Sequence, residues 1–406
     1  MTAIPSETGS RNTVEPVQLL LETVRRPSPS GAEGEVAAYL VDVMATFCDE
    51  AFVDDVGNAV GRWGHGPLRI TLLGHIDTVP GVIPVRVDDH GVLHGRGAVD
   101  AKGSFCAAVS AVARLPAALA SRLSVRLIGA VGEESPGSPG ARYALAAYET
   151  PDMVIVGEPS GWDAITLGYK GRATVTVVAT RPNGHTATDE ETAFEKVVNA
   201  FDGVRSFCRE WNDGHAPGGR AGVGRAGVGR AGVGRGPGTG EAARFDALQL
   251  ALLDVTGTND GLTQEARARL QFRLPPALPP DRLEAALREL DLGVDVELRF
   301  DGGEAAHRAE RGTPLAAAFR QSIRAHGGMP RHLVKTGTSD MNVVAPHWQV
   351  PMVAYGPGDA ALDHTPEERL GLTEYQRSVE VLAAALMAVA ADGRRGAPDE
   401  PEPAPA

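Results

Sequence analysis

Apolar positions recur at helical spacing twice near the start of the chain. Leu19, Leu20 and Val24 mark one helix over 15–26, and Val36, Leu40, Val43 and Met44 mark a second over 33–47. The pattern then becomes one of short, unbroken apolar runs: 68–74 (LRITLLG), 125–131 (VRLIGAV) and 153–157 (MVIVG). Runs of that length without polar alternation read as strands buried on both faces. An Ala-rich segment, 102–119, lies between the first two and predicts a helix. Strands alternating with helices predict an α/β domain: a mixed, largely parallel sheet with helices on both faces.

The period changes near Gly171. Residues 172–180 (RATVTVVAT) alternate as a half-exposed strand does, and a helix pattern follows over 189–211. Two alternating stretches cover 245–257 and 265–274, then a helix pattern covers 280–290 and a strand 294–300. The order β-α-β-β-α-β is that of a ferredoxin-like α+β unit. It predicts a smaller domain, 171–303, inserted into a larger one made of 15–170 and 304–391. The larger pattern resumes with helix 314–326, strands 333–336 and 351–355, and a long helix across 373–391. Residues 1–14 and the Pro- and acid-rich tail 392–406 are expected to be disordered. The same holds for 218–240, where AGVGR occurs three times in tandem and the glycines cannot repay their ordering entropy.

Composition narrows the partners. A chain of 406 residues exceeds what one core usually absorbs, in keeping with two domains. A net charge of −13 disfavours nucleic acid and anionic membrane. Cys48, Cys106 and Cys208 are odd in number and lack CxxC spacing, which suits a reducing compartment. With neither a leader pattern nor an apolar run of membrane-spanning length, cytoplasm is the expected location.

The candidate chemistry sits where apolar strands end. His75 and Asp77 follow the run 68–74, Glu133 and Glu134 follow 125–131, and Glu158 follows 153–157. Open α/β sheets build their sites at the carboxyl ends of strands. A metal-binding imidazole needs an acceptor on its other nitrogen, and Asp77 is spaced to supply one. Adjacent carboxylates such as Glu133 and Glu134 repel without a cation, and one ligand beside one general base relieves that cost. Asp100 stands at the start of the Ala-rich helix, as an N-cap or as a carboxylate shared between two cations. His364 lies in a late loop, LDHTP. Each alone also fits an ordinary polar loop residue; the group together does not.

The strings GHIDTVPG, GRGAVDAKG, GEES, GEPS and DHTP, in that order across about residues 15–390, resemble the zinc-dependent aminoacylase and carboxypeptidase family. Acetylornithine deacetylase and succinyl-diaminopimelate desuccinylase belong to it. The resemblance implies two zinc ions per subunit at a site that also accepts cobalt. His75 and Glu158 would hold one, Glu134 and His364 the other, and Asp100 would bridge, with a cis Asp100–Ala101 peptide. Asp77 would orient His75, and Glu133 would be the general base. The inserted unit would be a lid and dimerisation domain of a homodimer, with His185 of GHTA reaching an active site to steady the oxyanion. Arg273 and the Gly337, Thr338 and Ser339 segment would grip the substrate carboxylate.

A narrower resemblance rests on EPSGWDAITLGYKGR, KTGTSDMNVVAP and AYGPGDAALDHTPEE. They look like the hydrolases of carrier-protein-dependent lysine and ornithine biosynthesis. The implied substrate is an amino acid on the C-terminal glutamate of an acidic amino-group carrier protein. Lys170, with Arg172, Arg273 and Lys335, would line a basic mouth. The alternatives are an N-acetyl-lysine or N-acetylornithine deacetylase, or a related dipeptidase, with the same site, and a non-catalytic dimeric binding protein. The presence of Glu133 argues against the last.

Overall fold

The computed structural model describes residues 14–185, 187, 189–215 and 241–392. The expectations for 1–13, for the AGVGR repeat and for the tail beyond Asp392 lie outside the described residues. The chain divides into two compact units. One comprises residues up to Leu167, Ala309–Leu333 and the chain from Ser339; the other comprises Gly168–Arg308 and Val334–Thr338.

The first unit is built on a sheet in the order Glu50–Val53, Ala59–Trp63, Leu123–Ala130, Leu68–His75, Met153–Gly157, Met352–Ala354, Ala164–Tyr169. Its centre is parallel: Leu68–His75 pairs in parallel with Leu123–Ala130 and with Met153–Gly157, which pairs in parallel with Met352–Ala354. Towards both margins the pairing is antiparallel. The unbroken apolar run explains why the first of these strands is central: every residue of Leu68–His75 from Ile70 onward is buried. The helix Lys102–Ala113 packs on that strand, and its residues from Lys102 to Val112 are all buried, which small alanines permit. It stops short of the expected 119, because Pro116 interrupts it and only a 3-10 turn, Ala117–Leu119, follows. The long helix Leu372–Asp392 covers Lys102–Ala113 and Pro314–Ala325.

The second unit is a four-stranded antiparallel sheet in the order Gln249–Asn259, Thr263–Leu274, Gly171–Pro182, Val296–Glu304. Helices Ala193–His215 and Pro280–Arg288 pack against it. Val175, Val177, Leu270 and Phe272 from the strands and Val197, Val204, Leu283 and Leu287 from the helices form its core. Alternate residues of the two inner strands, Thr263–Leu274 and Gly171–Pro182, are buried over most of their length, as one covered face requires. Several boundaries differ from the sequence expectation: the helix expected over 189–211 spans Ala193–His215, and the strand expected over 294–300 spans Val296–Glu304. The segment expected to be strand from 245 is helical over Glu241–Phe245, and the strand begins at Gln249.

Among the described residues no helix is long and apolar enough to cross a membrane.

Candidate metal centre

The three central parallel strands end side by side, so the residues that follow them converge. His75 closes Leu68–His75, and Glu158 follows Met153–Gly157 directly. After Leu123–Ala130 the chain turns at Gly132, at φ 69°, where a Cβ would stand 2.8 Å from Pro139, and delivers Glu133 and Glu134. Asp100 arrives from the start of Lys102–Ala113, and the Asp100–Ala101 peptide is cis. His364 comes from the loop after the 3-10 turn Ala360–Leu362.

Asp100 lies between two imidazoles. Its Oδ1 is 3.2 Å from His75 Nε2, and its Oδ2 is 2.9 Å from His364 Nε2. His364 Nε2 is also 2.7 Å from Glu134 Oε1. Three sets of donor atoms lie within 4.8 Å of one another: His75, Asp100 and Glu158; Asp100, Glu134 and His364; and His75, Glu133 and Glu134. The first two share Asp100. On the far side of His75, Nδ1 is 3.4 Å from Asp77 Oδ1.

The electrostatics ask for positive charge. Burial pushes His75 down, but its hydrogen bonds to Asp100 and Asp77 and the charge of Glu133 outweigh it and hold the imidazole well above its usual value. Burial works to raise Asp100, yet the bonds to His364 and His75 keep it below the ordinary carboxylate range. Bonds to Asp100 and Glu134 raise His364 to about 10. Glu133 is pushed well above its usual value by burial first, then by the charges of Asp340, Glu158 and Glu134, with His75 opposing. Clustered carboxylates with two imidazoles between them form the nitrogen and oxygen donor set that suits a divalent metal of the zinc type, so these residues fit such ions.

Asp77 does more than face His75. Its Oδ1 accepts the Glu133 N–H at 3.1 Å, and its Oδ2 accepts the Glu134 N–H at 3.0 Å and the Ser30 hydroxyl at 2.7 Å. Glu33 accepts the Gly132 N–H at 3.2 Å. Ser30 and Glu33 therefore support the turn that carries Glu133 and Glu134. Sequence reasoning misses both, because PSPSGAE between two helices reads as a connector.

The other expected residues lie in different places. Arg273, near the end of Thr263–Leu274, donates from Nη1 to Thr338 Oγ1 at 3.1 Å, and Gly337 adjoins Thr338 in the chain. Ser339 caps the helix Asp340–Trp348, so its hydroxyl serves the Met341 N–H. His185 stands on an exposed segment of the second unit, where its Nδ1 accepts the Ala187 N–H. Lys170 corrects the expectation of a basic mouth. Its side chain is buried, and Nζ donates to the carbonyls of Arg244 and Ala247 and to Gln249 Oε1. The end of the short helix Glu241–Phe245 presents carbonyls without helical partners, and the ammonium satisfies them instead of facing solvent.

The sequence pattern described as peptidase family M20/M25/M40 matches residues 71–388. The LysW-lysine hydrolase of Deinococcus radiodurans is 47% identical over 386 residues, covering 95% of this chain and 98% of that protein. The M20 family metallo-carboxypeptidase Sso-CP2 of Sulfolobus solfataricus shares the fold with a TM-score of 0.73 at 17% identity, over 93% of this chain and 100% of that one. The aminopeptidase PepT of Bacillus cereus does so with a TM-score of 0.67 at 17% identity, over 94% and 100%. With the match spanning most of its length and the donor cluster at its strand ends, the chain belongs to peptidase family M20/M25/M40 and is a metal-dependent amide hydrolase.

Proposed function

We propose that this enzyme releases L-lysine, L-ornithine or a related amino acid from the C-terminal glutamate of an acidic amino-group carrier protein. The observation that carries the reading is the complete donor cluster with Glu133 beside it, in a chain nearly half identical, end to end, to a LysW-lysine hydrolase. In this reading His75 and Glu158 would hold one zinc ion, Glu134 and His364 would hold the second, and Asp100 would serve both; cobalt would be accepted too. Metal ions held there would supply Lewis acidity for the amide carbonyl and for the attacking water.

The chain's own groups do the rest. Glu133 takes the proton of the attacking water on a carboxylate oxygen and hands it to the departing amine nitrogen as the C–N bond breaks. Asp77 fixes both the tautomer of His75 and the backbone of Glu133. Arg273, with the N–H groups of Gly337 and Thr338, suits the substrate carboxylate, since a guanidinium fork and backbone donors match its two oxygens. His185 would steady the oxyanion.

Dimerisation through the second unit is part of the proposal. Its edge strand Gln249–Asn259 exposes Leu252, Leu253 and Val255, and Phe194 and Val198 on the neighbouring helix are exposed as well. Sheet edges with apolar side chains are normally covered. A cytoplasmic setting fits three cysteines, Cys48, Cys106 and Cys208, that form no disulfide.

An acidic carrier needs local positive charge on an enzyme of net charge −13. Arg86 and Arg369 each stand opposite His94 in a small three-stranded sheet, one strand of which, Arg369–Gly371, follows His364 in the chain. With Ile83, Pro84, Pro366 and Glu367 they line a cleft of about 320 Å³. Asp88 stands 3.0 Å from His94, and the guanidinium groups of Arg86 and Arg369 on the two flanking strands favour an anionic visitor. The test is amine release from carrier-linked lysine, carrier-linked ornithine, N-acetyl-lysine and N-acetylornithine. The carrier-linked substrates should be strongly preferred at low salt; equal use of the acetylated amino acids would replace this reading with a deacetylase.

A further inference from the structure

Glu368 carries a carboxylate that no step above uses. It is 1% exposed, and both oxygens have partners. Oε1 accepts the N–H groups of Val99 at 3.0 Å and of Asp100 at 3.2 Å. Oε2 accepts Arg96 Nη1 at 2.8 Å. The same Nη1 donates to the carbonyl of Thr365, the neighbour of His364, at 3.1 Å. The Gly95 N–H meets the backbone carbonyl of Glu368 at 3.3 Å. Segments 95–100 and 365–368 are thus laced together through one ion pair, with Glu368 buried and Arg96 partly so, and one segment carries Asp100 while the other adjoins His364.

Stability alone does not account for this pair. Taking two charges out of water costs about as much as their attraction returns, so well-packed apolar residues would hold two loops together equally well. What the pair adds is position. The Glu368 carboxylate grips the peptide of Asp100 itself, and Arg96 carries that constraint to the residue next to His364. The two side chains meet at 2.9 Å on Asp100 Oδ2, so a small slip of either loop changes the geometry of the donor set.

We propose that Glu368 is a positioning residue: acting through Arg96, it fixes the relative placement of Asp100 and His364 and so sets the metal affinity of the position that His364 and Glu134 serve. This rests on the metal-centre assignment of the proposed function but not on the carrier substrate. Partners behind metal ligands typically influence affinity or activity by about 10–100-fold.

The experiment uses the full-length protein stripped of metal. Zinc affinity is measured by competition with a chromophoric chelator for the native protein, Glu368→Gln and Arg96→Lys, alongside the melting temperature of each metal-free form. Glu368→Gln should weaken one of the two zinc equivalents by about 10–100-fold and the other, which shares Asp100 but not His364, by clearly less. Its kcat should fall and recover partly with excess zinc, while KM stays unchanged. Arg96→Lys keeps the charge but loses the reach to Thr365, and should show the same selective weakening. It carries the test if Glu368→Gln does not fold. Variants that bind both equivalents with native affinity, whatever their melting temperatures, would overturn the proposal. A native protein that binds no divalent cation would overturn the metal-centre assignment, and this inference with it.

Discussion

Among single residues, Glu133 and Glu134 are neighbours with opposite expected failures. Glu133→Ala should retain metal and fold and lose about 10²–10⁴-fold in kcat, the usual size of a missing general base. Turnover near normal at full metal occupancy would refute that assignment. Glu134→Ala and Asp100→Ala should instead lower the metal-to-protein ratio by elemental analysis, because each removes a donor from the cluster. Asp77→Ala should do both at once, since its carboxylate supports His75 on one side and the Glu133 and Glu134 N–H groups on the other. The donors themselves are legible in the sequence because most of them close an apolar strand, which announces where they stand. Ser30 is not, as its partner lies 47 residues away and only the fold brings them together. Lys170 is misplaced by sequence reasoning for a related cause. A string such as GYKGR shows that a lysine is present and not that its ammonium turns inward to the carbonyls of a helix end.

For the elements, legibility follows periodicity. The buried central strands and the long helices stand out because their apolar runs or helical spacing extend over many residues. The hairpin Glu50–Val53 and Ala59–Trp63, and the small sheet of Arg86–Val87, Val92–His94 and Arg369–Gly371, do not, being too short for a period to emerge. Helix Asp340–Trp348 is also hidden, since Pro346 lies inside it. The edge strand Gln249–Asn259 carries its own prediction. Its register shifts between Leu252 and Asp254, and Leu252 and Leu253 are both exposed. Replacing both leucines by glutamate should convert a dimer into a monomer on light scattering, while the far-ultraviolet circular dichroism stays unchanged. A dimer that survives the change would mean that this edge is not the contact.

For the whole molecule, charge decides how the proposed substrate arrives. Arg86→Glu with Arg369→Glu should raise KM for a carrier-linked substrate much more than for an acetylated amino acid. Added salt should mimic this in the native enzyme, as exposed charges are screened over about 8–10 Å at physiological ionic strength. Equal effects on both substrates would remove the cleft from the docking surface. Metal matters at this scale too. Chelation should lower the melting temperature, because a ligand bound only by the folded state adds about 2.7 kcal/mol at a hundred times its dissociation constant.

The placement of Met352–Ala354 bears on how the polypeptide is made. That strand fills the slot between Met153–Gly157 and Ala164–Tyr169, although nearly two hundred residues separate it from either in order of synthesis, as judged by their numbering. On the ribosome the ferredoxin-like unit, whose four strands all lie within 171–304, is available to fold first, whereas the larger sheet waits with a gap between Met153–Gly157 and Ala164–Tyr169. His364 emerges later still. A nascent chain that has been made only as far as Glu158 therefore lacks His364, and the donor cluster stays incomplete until that loop has emerged as well.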